Sequence, residues 1–122
     1  EDALAWYRKA LRMYRKMLGS ESEDVGRVVC RIADVLSDQG KFEDSKEKFE
    51  EGLAILRRAV GDEDPDVTRL LYYLAMCKEK VGDVEGAVAC LKEAQSIFRK
   101  AGVTHGFAVD VDALLGRLGV GA

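Results

Sequence analysis

The chain has 122 residues, with 19 Lys and Arg against 22 Asp and Glu for a formal net charge of −3, and 48% of it is hydrophobic. That balance suits one globular domain and excludes a disordered tail, and no run of about 18 apolar residues is present that could span a bilayer. The acidic excess also argues against a nucleic-acid partner, because affinity for a phosphate backbone rests on clustered Lys and Arg.

Apolar residues recur at helical spacing along the whole chain, and no strand is needed. The first helix is predicted near 2–18, where Ala3, Tyr7, Ala10 and Leu11 precede the cationic pair Arg15-Lys16 and Gly19. Val25, Val28, Val29, Ile32 and Leu36 form the stripe of a second helix over 23–39, with Ser22 placed as its N-cap. Gly40 marks a tight turn into a third helix over 42–60, whose stripe is Phe42, Phe49, Leu53, Leu56 and Val60, and which ends in Arg57-Arg58 and Gly61. Asp64 and Pro65 read as the N-cap and first residue of a fourth helix over 65–81. Gly82 turns the chain into a fifth over 84–101, closed by Arg99-Lys100 and Gly102. A sixth, over 107–118, is interrupted by Gly116, Gly119 and Gly121 and reads as a fraying end.

The chain also matches itself at a shift of 42 residues, which carries Gly19 to Gly61, Gly40 to Gly82, Asp24 to Asp66 and Ala33 to Ala75. Apolar positions follow: Val25, Val28, Val29 and Ile32 become Val67, Leu70, Leu71 and Leu74, and Phe49 becomes Leu91. Each period is therefore a pair of amphipathic helices, and such a pair exposes an apolar face that only stacking can bury. The expected fold is all-α, a solenoid of antiparallel helix pairs forming one domain over 1–122. Within it, 1–19 is the second helix of a partial repeat, 23–61 and 65–102 are full repeats, and 106–122 is a partial or capping helix.

These residues resemble the tetratricopeptide repeat, in the 42-residue variety seen in kinesin light chains and related scaffold proteins. Val29 with Ile32-Ala33, and Leu71 with Leu74-Ala75, match the first helix of that repeat. Gly40, Phe42, Ser45, Phe49 and Gly52 match the second, as do Gly82, Val84, Ala87, Leu91 and Ala94. Small residues at these places let crossing helices approach closely. Ala3, Tyr7 and Ala10 fit the second helix of a repeat whose first helix is missing, and Leu115-Gly116 fits the first helix of a following one. Lys78 and Gln95 depart from the pattern, standing where the repeat has an aromatic residue and a Leu.

The resemblance implies a right-handed stack that is not an enzyme and binds a protein or peptide segment on a concave wall built from first helices. Carried over residue by residue, that wall is Arg27, Cys30, Asp34 and Ser37, then Arg69, Tyr72, Met76 and Lys80. Arg, Tyr and Met are common in recognition surfaces because they combine contact area with adaptable polar or polarizable atoms. The Lys, Asn and Arg clamp that some members use for chaperone C-termini has no counterpart at Cys30, Asp34, Tyr72 and Met76. Arg27, Arg69 and Lys80 suit an extended or helical peptide with acidic and apolar residues. The alternative is self-association, a homo-oligomer formed through the open terminal helices.

Chemistry is otherwise sparse. Asp62, Asp64 and Asp66 imitate the opening of a calcium loop, but Val67 and Tyr73 stand where Gly and the bidentate Glu belong, so they are expected to cap a helix instead. His105 is the one histidine, and no nucleophile is positioned with it. No metal or cofactor is expected. Cys30, Cys77 and Cys90 form neither a disulfide framework nor a zinc knuckle, and they suit buried packing in an intracellular, cytoplasmic setting.

Overall fold

The computed structural model of the chain describes residues 2–119. Among them are six helices: α1 (Asp2–Leu18), α2 (Glu23–Asp38), α3 (Phe42–Val60), α4 (Pro65–Lys80), α5 (Val84–Ala101) and α6 (Phe107–Arg117). No strand occurs among the described residues. The chain packs as two compact units, divided in sequence between Gly61 and Asp62.

Local chemistry sets the helix ends. Ser22 Oγ accepts a hydrogen bond from the Val25 amide at 3.2 Å, and Asp64 Oδ1 accepts one from the Asp66 amide at 2.8 Å, so both act as N-caps. Asp64 is thus the cap that the Asp62–Asp66 pattern suggests. Gly40 and Gly82 carry φ of +78° and +89°, values that suit glycine. Each closes a 6→1 bond across the helix end, Lys41 N to Leu36 O at 2.9 Å and Asp83 N to Lys78 O at 2.8 Å, and so turns the chain into the next helix.

In the first unit α2 lies between α1 and α3. Its core joins Leu4 and Leu11 of α1 to Val25, Val29, Ile32 and Leu36 of α2 and Ile55 of α3, with Tyr7, Val28 and Val35 packed at the edge. Phe49 is 1% exposed, and burying a side chain of that size contributes about 3 kcal/mol. The small residues of the pattern do what their size allows. Ser45 is buried and its Oγ donates to the Ala33 carbonyl at 2.7 Å, while Gly52 lies directly against Cys30.

The second unit repeats the hairpin with α4 and α5, and α6 packs on α5 with a smaller contact to α4. Leu71, Leu74 and Ala75 of α4 are buried with Ala87, Leu91 and Ala94 of α5. Ala108, Val111, Leu114 and Leu115 are the buried face of α6. That helix corrects one expectation: Gly116 does not break it, and the helical turn continues to Arg117. A single glycine costs about 1 kcal/mol of helix propensity, which the four buried apolar residues outweigh. Gly119, with φ +83°, follows the helix end, and Gly121 lies outside the described residues.

Candidate functional site

On α2 the predicted wall is only partly a surface. Arg27 is half-exposed and grips Glu23 one turn away, with Nε at 2.9 Å and Nη2 at 2.7 Å from Oε2. Asp34 is exposed and Ser37 half-buried. Cys30 must be taken off the wall, because it is 6% exposed. Its side chain points into the α2–α3 interface, where Gly52 makes room for the sulfur. Helical spacing places Cys30 one turn from Arg27 but does not reveal that the opposing helix has no side chain there.

On α4 the four residues differ in character. Arg69 is ion-paired to Asp66 at 2.9 Å, Met76 is 39% exposed and Lys80 is exposed. Tyr72 is half-buried and its ring meets Tyr73 at 5.9 Å and Phe107 at 5.7 Å between centroids. Phe107 also meets Tyr73 edge-on at 5.9 Å, so the start of α6 closes one side of this face. Burial pushes the Tyr72 phenol above its ordinary pKa, and the nearby Asp110 carboxylate adds to that, while the Arg117 cation opposes it.

Arg117 anchors the other end of α6. Its Nη1 and Nη2 donate to Oε2 and Oε1 of Glu79 at 2.7 and 2.8 Å, a bidentate pair across α4 and α6. The hydrogen bond from Arg117 holds the Glu79 carboxyl below the usual carboxylate range, against a smaller opposing effect of burial. Sequence reasoning missed Phe107, Asp110, Arg117 and Glu79, since a weak helix of uncertain length carried no signal that it would dock on α4.

It also missed the outer face of α1. Trp6, Met13 and Met17 are 67%, 54% and 72% exposed. With Ala3 and Ala10 they form one apolar stripe at helical spacing, on a side of α1 turned from the Leu4 and Leu11 contact with α2.

Helix pairs joined by short glycine turns and recurring at a fixed period define a helical-repeat protein. The Tetratricopeptide repeat family model matches residues 1–58 and, overlapping it, 24–100, so the chain belongs to the tetratricopeptide repeat family. That family builds α-solenoids and is generally a non-catalytic scaffold, and this chain is a protein-interaction module of that family. No curated protein matches the sequence. No helix among the described residues is long and apolar enough to cross a membrane.

Proposed function

We propose that the chain binds a segment of a protein partner, extended or helical and carrying acidic and apolar residues, on the first-helix faces of its repeats. Arg27, Asp34 and Ser37 of α2 and Arg69, Tyr72, Met76 and Lys80 of α4 are the contacting residues. The observation that carries this reading is the exposure of Met76 beside Tyr72, with Arg69 and Lys80 on the same side of α4. A polarizable apolar side chain flanked by cations fits a partner segment that alternates carboxylates with Leu or Phe.

The arginines are available to such a partner at small cost. Arg27 and Arg69 are held by ion pairs within their own helices, and exposed pairs of that kind are worth about 0.5 kcal/mol, so an incoming carboxylate can replace them. The acidic net charge favours a protein partner over a nucleic acid. Three buried free thiols support a reducing, cytoplasmic setting.

The test is selection from a displayed library of short peptides rich in Asp, Glu, Leu and Phe, followed by titration of the winners. Charge reversal by R27E with R69E should weaken them at least about tenfold, equivalent to 1.4 kcal/mol. The same reversal at exposed Lys92 on α5 should leave affinity alone. Equal affinity for wild type and the double variant would sink the reading.

A further inference from the structure

We propose that Asp110 of α6 and the ring of Tyr72 on α4 form a site for a cationic side chain, Lys or Arg, on the protein segment that the first-helix faces bind. The inference rests on that binding mode and adds to it a second charge, opposite in sign to the first, that the segment must carry.

Leu115-Gly116 of α6 aligns with Leu74-Ala75 of α4, which sets a shift of 41 residues. Asp110 then takes the place of Arg69, and Arg69 takes the place of Arg27 in α2. One position on successive first helices is therefore Arg, Arg and Asp. Its exposure belongs to the position itself, because Arg27 and Arg69 lie in complete helix pairs and still keep partial exposure.

The structure sets this carboxylate beside an aromatic group. Phe107, one turn before Asp110, meets Tyr72 at 5.7 Å and Tyr73 at 5.9 Å, and Arg117 reaches Glu79 near the end of α4. The two helices thus run in the same direction, and Asp110 lies between those contacts, level with the stretch from Tyr73 to Met76. Its carboxylate acts on the Tyr72 phenol, helping to raise it. Arg27 and Arg69 are each held by a carboxylate of their own helix. Asp110 has no such partner: its side chain makes no hydrogen bond or ion pair among the described residues. The one cation of α6, Arg117, is taken by Glu79. Tyr72 is only half-buried, so an ammonium or guanidinium group can meet both the carboxylate and the ring, which attract it through charge and through the ring quadrupole.

Helix packing gives the spacing. Neighbouring helices lie about 10 Å apart, and an extended segment advances about 3.3 Å per residue. A segment crossing from α4 to α6 therefore places its acidic residue at Arg69 and its cation at Asp110 about three positions apart, with an apolar residue over Tyr72 and Met76 between them. A uniformly acidic segment would be repelled at α6, so the reversal of sign also fixes the register in which the segment binds.

Selection from a displayed library of peptides, random at every position, tests the site. Sequences recovered by the wild-type chain should carry Asp or Glu and, about three residues away, Lys or Arg. D110K should lose the cation from its recovered sequences and keep the acidic residue, whereas R69E should do the reverse. In titrations of one wild-type winner, replacing its cation by Glu should weaken binding about tenfold, and D110K should recover about that factor. D110N removes the charge with almost no change of shape, so it should bind the two peptides alike and carries the test if circular dichroism shows D110K unfolded. Y72L should lower affinity for the winner more than for the same peptide with Ala in place of its cation. Recovered sequences with an acidic residue and no cation would overturn this inference and leave the binding mode standing, and sequences with neither would overturn both. A preference for the cation that D110N leaves unchanged would also overturn it.

Discussion

Gly52 of α3 lies so close to Cys30 of α2 that a Cβ at position 52 would stand 2.5 Å from the sulfur and 3.0 Å from the Gly26 carbonyl oxygen. The first hairpin is thus closed by the absence of a side chain, and the thiol fills the space left.

Gly52→Ala should therefore destabilise the protein even though alanine is the better helix former. Overpacking costs about 1–3 kcal/mol and the propensity gain returns about 1, for a net loss of about 1–2 kcal/mol. Cys30→Ala in the same chain removes the sulfur but leaves the Gly26 carbonyl, so it should restore only part of the loss. Urea unfolding midpoints of the two variants would check both statements.

Ser45→Ala removes a buried hydroxyl that donates to the Ala33 carbonyl at 2.7 Å. Ala87 occupies the equivalent, fully buried place in α5, so the packing tolerates the change and the cost is that of the lost hydrogen bonding. Chemical denaturation should show a loss of about 0.5–1.5 kcal/mol.

The Glu79–Arg117 pair makes the docking of α6 depend on pH. Because Glu79 has a folded-state pKa below its ordinary value, its contribution is complete above the usual carboxylate range and is lost as pH falls through the lowered value. Glu79→Gln should lower the unfolding midpoint at neutral pH. The gap between wild type and variant should close in acid, as a series of urea titrations from neutral to acidic pH would reveal.

Phe107→Ala opens the ring cluster on Tyr72 and Tyr73. Each aromatic pair contributes about 0.5–1.5 kcal/mol beyond its buried area, so amide exchange along α6 should quicken. Water reaching Tyr72 should also bring its raised pKa back toward the ordinary value, since burial is the main cause of the rise. Tyrosinate absorbance followed through an alkaline titration would detect that shift.

Much of the fold was legible in the residues because helices, caps and turns depend on neighbours in the chain. Ser22, the Asp64-Pro65 pair, Gly40 and Gly82 announce their roles by type and spacing, and the six helices fall within two residues of the predicted ends. The candidate wall was less legible. Arg27, Asp34, Arg69, Met76 and Lys80 retain at least partial exposure, but a helical period describes only one helix at a time. It could not show that Cys30 is covered from α3 or that Tyr72 is covered from α6.

What the sequence by itself determined is the repeated helix pair and the family it belongs to, since both follow from periodic apolar and small residues. Tertiary structure decided which of those residues stay open. Gly116 remains helical because α6 has four buried side chains to hold it, and Glu79 meets Arg117 because α4 and α6 pack side by side. The stripe of Trp6, Met13 and Met17 looks, in the sequence, like any core. It is a surface because α2 packs on another side of α1, against Leu4 and Leu11.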